Sequence, residues 1–141
     1  MVDKVIRIIL QIEPVAKGRP KVTFRQGHVW TYNPVKTQNY EEELKWHFMK
    51  HKDKCFDAGI PVKLSITFFR TKSKFLPLRE VMPFRKPDTD NFLKAALDSM
   101  NGILVADDSQ ICTIIAKKRW TDKEAGYITI RLEKDTYDFT L

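Results

Sequence analysis

The sequence predicts an α/β (α+β) fold: a single compact domain spanning 1–141, with a mixed β-sheet packed by two main helices. Three observations lead there. A length of 141 residues supports one hydrophobic core and rarely two. Strand-like runs at 4–13, 62–70 and near the carboxyl end are separated by two segments of helical spacing. A composition of 43% hydrophobic and 30% charged residues belongs to a chain that can offset its ordering entropy by burial.

Taken in order, residues 4–13 (KVIRIILQIE) are rich in β-branched side chains. Val5, Ile6, Ile8, Ile9 and Leu10 suggest a strand buried on much of both faces, hence central in the sheet. Pro14 and the segment AKGRPK interrupt it, and the runs KVTF and HVWTY flank Arg25-Gln26-Gly27 as the arms of a hairpin do. Lys17, Arg19, Lys21 and Arg25 cluster there.

From Thr37 the spacing becomes helical, with Tyr40, Leu44 and Phe48 on one face and Glu41, Glu42 and Glu43 near the amino end. Thr37 is the expected N-cap, and Gly59-Ile60-Pro61 a stop. Residues 62–70 (VKLSITFFR) alternate as a half-buried strand does. The stretch 71–89 carries Pro77, Pro83 and Pro87 among Lys72, Lys74, Arg79, Arg85 and Lys86, which predicts a long basic loop. A second helix is expected over 90–101, capped by Asp90, with Phe92, Leu93, Ala96, Leu97 and Met100 as its apolar stripe and Gly102 after its end. ICTIIAKKRW and YITIRLE, joined by a turn at 122–126, read as a terminal β-hairpin.

A net charge of +7 favours an anionic partner, with nucleic acid the first candidate. Cys55 and Cys112 are too far apart for a zinc-ligand spacing and too few for a disulfide framework, so both are expected to be reduced and buried. The apolar run 5–10 is broken by Arg7 and too short for a signal peptide or a membrane span, which predicts a cytoplasmic protein with no membrane partner. Trp30, Trp46 and Trp120 fall in strand and helix patterns that suit burial, and Phe75 and Phe84 suit core or dimer packing better than wedging between bases.

The chemistry is concentrated in residues 86–111, KPDTDNFLKAALDSMNGILVADDSQI. Asp88 and Asp90 are separated by one residue at a helix start and can converge on one divalent cation, for which Mg²⁺ suits the oxygen ligands. Lys94 lies about one turn further on, where its ammonium can reach a metal-bound phosphate. Asp107 and Asp108 can supply a further acid. The helix rises roughly 1.5 Å per residue, and an extended 103–108 at roughly 3.3 Å per residue would cover the way back. Singly, each of these residues has an ordinary reading: Asp90 as a cap, Lys94 as an exposed lysine, Asp107-Asp108-Ser109 as a surface turn. Asp98, two turns on, reads as structural.

This block is similar to the RusA family of Holliday junction resolvases, whose signature is a KPDxDN lead-in, a K-A-x-x-D-A/S helix and a DDSQ-like segment. Here these stand as KPDTDN, KAALDSMNG and ADDSQI, and PVAKGRPKVT followed by Tyr32-Asn33-Pro34 resembles the family's amino-terminal pattern. The resemblance implies a homodimer that binds four-way-junction DNA and cuts two opposed strands with Mg²⁺, Mn²⁺ being able to substitute, and it implies no organic cofactor. It carries the essential acids onto Asp88, Asp90 and Asp108 and the essential lysine onto Lys94, with Asp107 as a neighbouring metal ligand. A bacterial, phage or prophage setting is implied as well. Lys17, Arg19, Lys21, Lys72, Lys74, Arg85 and Lys86 are then expected to contact phosphates. Two other functions fit the same residues: a non-catalytic branched-DNA-binding module, and a more general branched or flap DNA nuclease.

Overall fold

A computed structural model describes residues 4–32 and 34–136, so Asn33 of the amino-terminal pattern lies outside the described residues. Its elements in chain order are β1 (Val5–Leu10), β2 (Lys21–Arg25), β3 (His28–Tyr32), α1 (Val35–Met49), β4 (Val62–Arg70), α2 (Thr89–Met100), β5 (Ile111–Trp120) and β6 (Tyr127–Lys134). Strands β1, β6, β4 and β5 form one sheet in that order, while β2 and β3 form a separate two-stranded ribbon. β4 is parallel to β5 and antiparallel to β6, which makes the main sheet mixed as expected.

The core lies on one face of this sheet. Along β4, Val62, Leu64, Ile66 and Phe68 point to it, joined by Ile6, Ile8 and Leu10 of β1 and Ile128, Ile130 and Leu132 of β6. Both helices cover that face, α1 through Tyr40, Leu44 and Phe48, α2 through Phe92, Ala95, Ala96 and Met100. Alternation with period two and a stripe with period near 3.6 are thus satisfied against one another.

Several expectations are corrected. β1 is an edge strand and not a central one, with Arg7 and Ile9 turned to solvent. The expected terminal hairpin is absent, because β4 lies between β5 and β6. α2 carries the chain from the end of β4 back to the start of β5, which fixes β5 parallel to β4 on its outer side. α1 begins at Val35 behind Pro34, so Thr37 is buried inside the helix and its hydroxyl accepts the Gly18 N–H at 3.0 Å. Cys112 is exposed and Cys55 half-buried; both are free. Among the described residues no helix is long and apolar enough to cross a membrane.

Candidate active site

β4, α2 and β5 form a crossover whose helix runs back against two parallel strands. The amino end of α2 therefore stands at the carboxyl ends of β4 and β5, the position where open α/β sheets present their sites. Asp88 is the N-cap residue of α2 by backbone geometry (φ −71°, ψ 150°), and its carboxylate makes no capping bond. Asp90 sits in the first turn and is not the cap. Both are exposed, as is Lys94 one turn further on.

Basic groups surround this end. Lys118 of β5 donates to the carbonyls of Arg85 and Pro87, each at 2.8 Å, and so holds the loop that delivers Asp88. Burial and the nearby Arg70 charge pull the Lys118 ammonium below its usual value, while Asp88 pulls it back up. Arg70, the last residue of β4, lies over the rings of Phe92 at 5.4 Å and Trp120 at 5.6 Å. Burial lowers its guanidinium pKa, with Glu13 opposing. Neither residue was flagged by its sequence context, since a basic residue at a strand end carries no signal until the crossover places it beside Asp88.

Asp107 and Asp108 lie elsewhere. After α2 the chain does not extend back along the helix: the Gly102 N–H donates to Val105, and those of Ile103 and Leu104 donate to Met100. Phe56 then clamps the segment, donating to Leu104 at 3.0 Å and accepting from Ala106 at 3.2 Å, with Leu104 and Val105 fully buried. The Asp108 amide is held by the Asn101 side-chain oxygen at 3.1 Å, at the carboxyl end of α2. At roughly 1.5 Å per residue, that end is about 16 Å from Asp90. The expected return of Asp107 and Asp108 to Asp88 and Asp90 within one chain is thus overturned, because burial of Leu104 and Val105 uses the chain length the return needed. Among the described residues, no three of His, Cys, Asp or Glu converge to hold a metal ion.

At that second cluster the Asp107 carboxylate accepts the Ser109 hydroxyl at 2.7 Å and caps the short turn Asp108–Gln110. The Ser109 bond holds Asp107 below the usual carboxylate range. Burial pushes Asp108 up, helped by the hydrogen-bonded Asp107 and by the charges of Asp107 and Asp98.

The expected phosphate contacts divide. Arg19, Lys21, Lys74 and Lys86 are exposed. Arg85 folds onto Glu80, with bonds of 2.5 and 3.2 Å, and Lys72 donates to the Pro77 carbonyl at 2.7 Å. Lys17 is engaged within the chain: its ammonium bridges Glu41 of α1, at 3.0 Å, and Asp98 of α2, so it ties the helices together. Burial lowers the Lys17 pKa, but hydrogen bonds to Asp98 and Glu41 outweigh it and the net shift is upward. Lys17→Ala strands the buried Glu41 charge and is expected to cost about 2 kcal/mol in urea unfolding at neutral pH. With the folded value raised above the unfolded one, this contribution is complete below the unfolded lysine pKa and disappears as pH rises through the folded value. The gap between the two proteins should therefore close in strong alkali; a gap that persists would refute the ion-pair account.

The aromatic expectations also change. Trp30 and Trp46 are exposed, and only Trp120 is partly buried, its indole N–H donating to the Glu80 carbonyl at 3.0 Å. Phe75 is 98% exposed and Phe84 72%, so neither packs in the core of the chain.

The fold and site together define a small α/β protein with an acid pair set in a basic surface. The chain belongs to the RusA endodeoxyribonuclease family: the profile described as Endodeoxyribonuclease RusA matches residues 11–133. The chain is 37% identical over 107 residues to the crossover junction endodeoxyribonuclease rusA of Lactococcus phage r1t, covering 72% of this chain and 75% of that one. It is 26% identical over 136 residues to the uncharacterized protein YqaN of Bacillus subtilis strain 168, covering 89% and 95% respectively.

Proposed function

We propose that the chain is a structure-selective endodeoxyribonuclease that resolves four-way DNA junctions in recombination and repair, acting as a homodimer. The observation that carries this reading is the placement of Asp88 and Asp90, exposed at the start of α2, within a basic surface formed by Arg70, Lys118 and the 71–88 loop. A phosphate backbone is drawn to such a surface and brought against the acids. The phage relative, named a crossover junction endodeoxyribonuclease, points to the same substrate.

The acids of one chain stand at opposite ends of α2, so the complete site is assigned to two copies. β5 is an edge strand of ten residues, and its outer side pairs with no strand among the described residues. An isologous dimer that paired β5 antiparallel with its copy would lay the start of one strand against the end of the other. The partner subunit's Asp107 and Asp108 would then reach the end that carries Asp88, Asp90 and Lys118. Mg²⁺, with Mn²⁺ able to substitute, would be held there by Asp88, Asp90 and the partner subunit's Asp108, with the partner's Asp107 as its neighbour. Such a metal, when bound, supplies Lewis acidity at the phosphate and an ionised water. Lys94 steadies charge on the reacting phosphate, and Arg19, Lys21, Lys74 and Lys86 position the backbone without reading bases.

The test is cleavage of a synthetic four-way junction beside a linear duplex of the same sequence, in Mg²⁺ and in Mn²⁺. Paired nicks in opposed strands of the junction, with the duplex left intact, are expected. Binding without cleavage in either metal would favour a non-catalytic module, and equal cutting of flaps would favour a general branched-DNA nuclease.

A further inference from the structure

Among the described residues the β2–β3 ribbon forms a sheet separate from the main one, and its side chains are almost all exposed. A lone two-stranded ribbon is marginally stable in water, so large aromatic side chains on one call for a partner. Cross-strand register sorts its residues into two faces, since directly paired positions share a side. Lys21 pairs with Tyr32, Thr23 with Trp30 and Arg25 with His28; Val22 with Thr31 and Phe24 with Val29 form the opposite face.

The first face combines cations and rings. Trp30 is 58% and Tyr32 47% exposed, and with Thr23, Arg25, Gln26 and His28 they line an open concavity of about 850 Å³. No Asp or Glu occurs anywhere in 21–32. Rings with flanking cations on a strand surface are the platform on which unpaired bases stack, while a duplex, whose bases are already stacked, offers them only its phosphates. The ribbon also springs from the catalytic end. The Lys17 N–H at its root donates to Asn91 of α2 at 3.0 Å, and Gly18 and Pro34 share a cleft with Arg70 and Pro87.

We propose that the face bearing Lys21, Arg25, His28, Trp30 and Tyr32 binds unstacked nucleotides of a branched DNA substrate. This rests on the nuclease reading above and adds the source of its preference for branched over linear DNA: the cations hold any backbone, and the rings hold only bases that a junction has released.

The experiment measures binding without divalent metal, by fluorescence anisotropy, to a four-way junction, a single strand and a linear duplex. The Trp30→Ala/Tyr32→Ala double variant is expected to lose about tenfold in affinity for junction and single strand, and less than about twofold for duplex. Trp30→Phe, which keeps a ring, should stay within about threefold of the unaltered protein on all three. Arg25→Ala should weaken all three together. Unchanged junction and single-strand affinity in the double variant, or a uniform loss on every substrate, would overturn the proposal. So would a shift of the double variant to a smaller assembly in sedimentation, which would seat the ribbon on a second copy instead. Because the readout is binding, failure here leaves junction cleavage by the unaltered protein standing, whereas absence of that cleavage sinks the nuclease reading.

Discussion

A one-to-one mixture of Asp90→Asn and Asp108→Asn chains is expected to nick four-way junctions that neither variant cuts alone. Each substitution alone should lower cleavage by a factor on the order of 10²–10³ or more while leaving binding in place, because a neutral amide of the same shape removes a charge and not a contact surface. In the mixed dimer one site carries both substitutions and the other neither, provided each site takes Asp90 from one copy and Asp108 from its partner. Random pairing makes half of all dimers mixed, so about a quarter of all sites regain both acids. Those dimers should nick one strand without the paired incision. Were Asp90 and Asp108 to act within one chain, every site in the mixture would lack one acid and no cleavage would return. The expectation follows from the Asp108 amide being anchored on Asn101, a helix length from Asp90.

Phe68→Ala is expected to cost about 3–5 kcal/mol, a large part of the stability of a domain this size. Phe68 and Phe92 stack with ring centroids 5.5 Å apart, and neither is more than 1% exposed. Truncation leaves a cavity between β4 and α2 beneath the turn that carries Asp90. The check is the urea midpoint at an unchanged slope, with Phe68→Leu as the milder companion. A loss below about 1 kcal/mol would mean that the sheet and α2 close over the gap.

How legible the chain was in its sequence depended on the range of the interaction. The strand at 62–70 and the basic loop after it are legible in the sequence, and the helix through Phe92 and Met100 to within a residue, because alternation, proline content and helical spacing act between near neighbours. The residues 21–32 were read as a hairpin for the same reason, with Gln26 and Gly27 taking the positive φ its turn needs. The motif acids and Lys94 could be singled out, and the family match covers the same block. What periodicity does not carry is the identity of a strand's neighbour. β5 and β6 have the pattern of a hairpin, yet β4 lies between them, and β1 has the composition of a central strand at an edge. Nor does spacing say where a loop's length is used. The residues 103–108 could have spanned α2, but burying Leu104 and Val105 against Phe56 holds Asp108 at the far end of the helix. The sequence by itself determined the elements, the motif that holds the candidate acids and the basic character of the chain, all products of local chemistry. The tertiary structure alone decided which elements are neighbours and which acids share an end of the molecule, because long-range burial outweighs what a segment's own pattern allows.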